Sequence, residues 1–220
     1  MGINSILDLV VIFTKAALVT LEVALASIAI ALVIGLVCAI VLYFGVPVLK
    51  TLIRVYVVFF RNTPSLIQAY FIFYGLPKIF MVLDSFTCSV IVLSLLGGAY
   101  MCEAIFAAVK AISTNQKELA LAIGLSKLDT VRYLILPQSI SISIAAINNN
   151  AIFLTKEVSA MKLILLPEIV YQAFSIISLR PDLIIPVALF MVLSYLVILI
   201  PMTYAFSRVE RRIRYAEFGN

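Results

Sequence analysis

The chain has no histidine and no tryptophan among its 220 residues. Without histidine it lacks both the commonest metal ligand and the commonest general base. Cysteine is scarce as well: Cys38, Cys88 and Cys102 stand without paired spacing. Cys38 and Cys102 fall in apolar runs, where a free thiol behaves as a small core residue. Neither a disulfide framework nor a zinc site is expected. No glycine-rich loop of the G-x-x-x-x-G-K type occurs, so any ATP that the protein uses is bound by another polypeptide. No Ser/His pair exists and Glu103 has no evident carboxylate partner, which argues against an intramembrane enzyme. Internal repeats, common in single-chain carriers, are absent too.

Charged residues make up only 12% of the chain, against 64% hydrophobic, and the mean hydropathy is +1.18. Soluble domains carry about a quarter charged residues, so this composition predicts an integral membrane protein. The uncharged run from Val23 to Leu49 alone exceeds the roughly 20 residues that span a bilayer. No basic stretch precedes that run and it is too long for a cleavable signal peptide. We expect one all-α transmembrane domain over 1–220, with spans at 14–44, 55–80, 85–111, 139–160 and 183–206.

Charge sets the expected orientation. With the C-terminus and the 113–137 loop inside, five spans put the N-terminus outside. The inner side then holds Lys50, Arg54, Arg61, Lys110, Lys117, Lys127, Arg132, Arg208, Arg211, Arg212 and Arg214. The outer side holds Lys15, Lys78, Lys156, Lys162 and Arg180. The bias is the one the positive-inside rule requires. It also accounts for the net charge of +5 without a nucleic-acid partner.

The polar interval 113–137 has the clearest local signals. Asn115 with Glu118 three residues on resembles a capping box. Gly124 suits the left-handed residue that ends a helix. Ser126 with Asp129 starts a second helix, and Pro137 marks its end or a kink. Two short helices meeting at a glycine turn form a knob. Its apolar Leu119, Leu121 and Ile123 would need a groove on another protein if the knob projects beyond the bilayer. The plainer reading is a loop that joins two spans.

Glu118, Ala120, Gly124, Leu136 and Pro137 resemble in register the EAA motif of permease subunits of ATP-binding-cassette importers, E-A-A, three residues, G, nine residues, I, one residue, L-P. Leu119 and Leu134 replace the usual Ala and Ile. The run Phe60-Arg61-Asn62-Thr63-Pro64-Ser65-Leu66-Ile67-Gln68 is similar to the F-R-[GN]-T-P-x-L-x-Q signature of the polar amino-acid uptake permeases in that class. Leu154-Thr155-Lys156-Glu157-Val158-Ser159 resembles their L-x-K-[DE]-[TS]-S, with Val158 departing, and Pro167-Glu168 matches the P-E that follows. The resemblance implies a type I importer permease core in the bacterial inner membrane. It also implies a coupling helix carrying Glu118, Leu119, Ala120, Gly124 and Leu125. ATP and Mg would be bound by a separate ATPase, with a second permease subunit and an extracytoplasmic amino-acid-binding protein completing the assembly.

Candidate substrate-binding residues are the polar groups inside spans, since a charge in hydrocarbon must face a bundle interior or water. Glu103 reads as a counter-charge or gate, or as a structural ion pair. The alternative function, an ion-coupled carrier or channel, would use Glu103 as its ion or proton site. Asn148, Asn149 and Asn150 lie 100° apart on a helix and cannot all face one pathway. Gln68 and Thr63 are lesser candidates. Lys156-Glu157 reads as a local ion pair or outer gate, and Glu22 as a group near the outer surface that reaches water. The aromatics Tyr70, Phe71, Phe73 and Tyr74 read as a packing or interfacial surface.

Overall fold

A computed structural model of the chain describes residues 6–218, with side chains to 213. The side chain of Arg214, counted above with the inner set, lies outside the described residues. Every described element is helical. Four helices are long and apolar enough to cross a membrane: Ile6–Phe44, Ser85–Ala111, Lys127–Ile164 and Pro181–Ile213.

Helix α1 (Ile6–Phe44) packs along α4 (Ser85–Ala111), and a seam of small residues explains why. Ala24, Ser27, Ala31, Gly35 and Ala39 recur every three or four residues and are all buried; Ala16 and Thr20, which continue the series, meet the helix Ile169–Leu179 instead. Without large side chains between them, two helices in lipid can bring their backbones together and gain dispersion contacts. A β-carbon on Gly35 would stand 2.6 Å from Met101 Cβ and 2.9 Å from the Cys102 amide nitrogen. Gly97 faces Ala31 and Leu154 as tightly.

The crossing expected at 55–80 is not one helix. Amphipathic α2 (Pro47–Asn62) ends at Thr63, which is extended at φ −109° and ψ 129°. Then follow α3 (Ser65–Tyr70), a π turn (Phe71–Gly75) and a 3₁₀ turn (Leu76–Lys78). Pro64 causes the break: it has no N–H for the Phe60 carbonyl, and it forces Thr63 out of helical geometry. Tyr56 ties α2 to α4 by donating to the Leu95 carbonyl at 2.6 Å.

At one end of the bundle lies the knob. It comprises α5 (Thr114–Ala122), a turn at Gly124 and α6 (Lys127–Thr130), then a π turn (Val131–Ile135) leading into α7 (Leu136–Glu157). Gly124 has φ +91°, as its left-handed role requires, and the Ser126 hydroxyl caps the Asp129 amide at 3.1 Å. Two local expectations are corrected. Ser113, not Asn115, precedes the first helical residue, and it makes no side-chain cap. Leu136 stays α-helical before Pro137, because the wider π turn relieves the clash a proline ring makes with the preceding turn.

The opposite end is closed by a 3₁₀ segment (Val158–Ile164), α8 (Ile169–Leu179), a further 3₁₀ turn (Pro181–Leu183) and the start of α9 (Ile184–Phe218). Here Leu9, Phe13 and Ala16 of α1 pack against Ile169, Ala173 and Val187. Leu165 at φ 62° turns the chain so that Glu168 enters the interior. Its carboxylate caps α8, accepting from Val170 N at 2.9 Å and Tyr171 N at 2.7 Å.

Candidate functional site

The Pro64 break creates a cleft of about 470 Å³ on the flank of the bundle. Its walls come from the α2–α3 junction, from Leu96 and Tyr100 of α4, and from Phe153 and Glu157 of α7. Leu96 and Tyr100 are spaced i, i+4, and so are Phe153 and Glu157, so each helix turns one face to the opening; Glu103, one turn beyond Tyr100, lies outside the wall itself.

Two charged groupings stand in its walls and at its edge. Arg61 forms an ion pair with Glu103, and its guanidinium lies 5.1 Å from the centre of the Tyr100 ring. About half of the Glu103 side chain is exposed, so the pair is held at an open surface rather than locked in the core. Arg61 was counted among inner-side charges; it is bound two turns before the end of α4, at roughly 12 Å by helical rise. Across the cleft, Ser65 donates to Glu157 Oε2 at 2.5 Å. Tyr100 and Phe153 meet edge to face at 5.4 Å between the two groupings. The cleft and its edge therefore present Arg61, Glu157, the Glu103 paired to Arg61 and an aromatic floor, a set able to take both ends of a small zwitterion.

The remaining polar candidates are elsewhere or already engaged. Gln68 is buried and its amide donates to the Phe60 carbonyl at 3.1 Å and the Thr63 carbonyl at 2.9 Å. Phe60 is the residue whose acceptor Pro64 leaves without a donor, so Gln68 splints the break. Thr63 donates to the Phe59 carbonyl. Asn148, buried, donates to the Phe206 carbonyl and to Glu210 of α9, both at 3.3 Å. Asn149 is exposed and Asn150 half-buried. Glu22 is exposed on α1. The Tyr74 ring contacts those of Tyr70 and Phe73, and its hydroxyl donates to Leu163 O at 3.3 Å.

Sequence reasoning missed Ser65, Tyr100 and Phe153. The i, i+4, i+7 spacing around Glu103 would have found Tyr100; nothing local marks Ser65 or Phe153. Glu157 was noted only beside Lys156.

The knob is the second site. Leu119, Leu121, Ile123 and Leu128 are exposed at the end of the bundle, while Ala120 turns inward. Lys117 holds α5 down by donating to the Val109 carbonyl at 3.0 Å.

Four helices long and apolar enough to cross a membrane, a polar cleft in the flank and an apolar knob at one end are the features of a helical membrane transport subunit. Residues 31–215 match the model for the binding-protein-dependent transport system inner membrane component, and the chain belongs to that family. It is 36% identical over 159 residues to the probable amino-acid ABC transporter permease protein PatM of Vibrio harveyi, covering 71% of each chain. Over 205 residues it is 31% identical to the glutamine transport system permease protein GlnP of Escherichia coli strain K12, covering 91% of this chain and 92% of that one. A crystal structure of an amino acid ABC transporter with histidines aligns at a TM-score of 0.85 and 26% identity, over 96% of this chain and 100% of that chain.

Proposed function

We propose that this chain lines the pathway for ATP-driven uptake of polar amino acids across a bacterial inner membrane. It works by alternating access with a second permease subunit, identical or homologous. A cytoplasmic ATPase that binds ATP and Mg supplies the energy, and an extracytoplasmic binding protein delivers the substrate. The knob and the C-terminus face the cytoplasm and the N-terminus faces outward.

The observation that carries this reading is the knob. Four large apolar residues stand exposed at the end of a membrane bundle: Leu119 and Leu121 on the short helix α5, Ile123 at its C-terminal end and Leu128 on α6. A helix of that kind is stable in water only when a groove covers it. The names of the relatives support the substrate class, and the cleft supports it chemically. Arg61 suits a substrate carboxylate, while Glu103 and Glu157 suit an ammonium group. Asn149, exposed on α7, is a further candidate; Gln68, Thr63 and Asn148 hold the framework around the site.

Copurification with the cognate ATPase, comparing wild type with Gly124→Asp, tests the reading. A β-carbon at 124 meets no atom within 4 Å, so the substitution acts through the φ of +91° and its charge. Wild type should retain the ATPase and the variant should lose it while staying in the membrane. Failure of wild type to retain any ATPase would overturn the importer reading and favour a carrier centred on Glu103.

A further inference from the structure

Two apolar hollows adjoin along one flank of the bundle. The first, about 570 Å³, lies between Leu18 and Leu25 of α1 and Val197 of α9. The second, about 370 Å³, is lined by Val33 of α1, Ile144 of α7 and Val209 of α9. Phe206 belongs to both. Together they follow α1 from Thr14 to Leu36. At 1.5 Å per residue that is roughly 33 Å, the thickness of a bilayer's hydrocarbon core.

The groove has a basic end. On α9, Ile198, Pro201 and Ala205 line it. The same i, i+3, i+7 stripe continues through Arg208 to Arg212, both exposed. Arg208 lies against Tyr204, donating to its hydroxyl at 2.8 Å. Glu210, the acid of this turn, accepts the Asn148 amide.

We propose that this groove is a binding site for an anionic phospholipid. An acyl chain lies between α1 and α9, and the phosphate sits against Arg208 and Arg212. The charge at the groove's end decides between the possible occupants. A second copy of the chain, inserted in the same direction, would bring its own arginines to the same level and repel these. A phosphate at that level is attracted. The inference needs a membrane but does not rest on the transport reading.

Native mass spectrometry of the full chain in detergent micelles doped with phosphatidylglycerol or phosphatidylcholine tests it. Wild type should keep phosphatidylglycerol in preference. The double variant Arg208→Gln/Arg212→Gln should keep about thirtyfold less, since each basic side chain near an anionic surface is worth about fivefold. Ala205→Phe, which fills the groove and leaves both arginines, should lose either lipid. Equal retention of the two lipids, unchanged phosphatidylglycerol binding by the double variant, or unchanged lipid binding by Ala205→Phe would each overturn the proposal. So would a lipid-free dimer with the groove closed by its partner.

Discussion

Among single residues, Glu168 gives the sharpest consequence. It is fully buried at the knob-distal end, faced by Lys162 and by the hydroxyl of Tyr195. The Tyr195 hydroxyl sits beside the carboxylate outside hydrogen-bond geometry. Burial pushes the Glu168 carboxyl up from 4.5 to about 7, against the opposing pull of the Val170 and Tyr171 amides and of Lys162. A carboxyl whose folded value is raised binds its proton more tightly when folded, so its stabilising effect is complete below pH 4.5 and is lost as pH rises to about 7. The slope over that window is worth on the order of 3 kcal/mol. Thermal melting followed by helical circular dichroism should therefore show stability falling from pH 5 to 7 in wild type. Glu168→Gln should flatten that dependence; an unchanged slope would assign it to other groups.

Among elements, the α1–α4 pair is the most sensitive to substitution. In Gly35→Ala the new β-carbon meets the backbone of α4, which cannot rotate away as a side-chain tip can. Overpacking should cost about 2 kcal/mol, beyond the roughly 1 kcal/mol that alanine gains over glycine in a helix. Gly75→Ala, where the nearest neighbour is the Phe71 ring at 3.3 Å, should be close to neutral. Melting midpoints of the two variants check this, and equal midpoints would refute the close-crossing argument. The same elements mark what a sequence can disclose. The extent of α4 was legible as an apolar span at 85–111, and Asp84 caps its start, accepting from Thr87 N. The glycine turn was legible because only a left-handed residue fits there. The π turns at Phe71–Gly75 and Val131–Ile135 were not, since their period breaks the 3.6-residue pattern on which helix reading depends. Glu103 stood out as a charge inside a span, but Arg61, 42 positions earlier, became its partner only through the fold. Gln68 looked like a substrate ligand because no sequence pattern announces that Pro64 leaves a carbonyl needing a donor.

For the whole molecule, the proposed orientation makes a direct prediction. Cysteine placed at Val82, exposed in the turn before α4, should react with a membrane-impermeant maleimide in intact cells. Cysteine at Leu121 in the knob should react only after the membrane is opened. The native thiols contribute little background, with Cys88 and Cys102 buried and Cys38 half-buried. The reverse pattern would invert the assigned topology. The small-residue seam has a mechanical consequence as well. Helices packed as closely as α1 and α4 are at Gly35 behave as a single strut, stiff against bending and sliding. The α2–α3 strand of the bundle is jointed at Thr63–Pro64 and again at its π turn. A push delivered at the knob would travel along the strut to the far end almost without loss. The compliance of the subunit is then concentrated at these two joints, and the first opens onto the cleft beside which Arg61 meets Glu103.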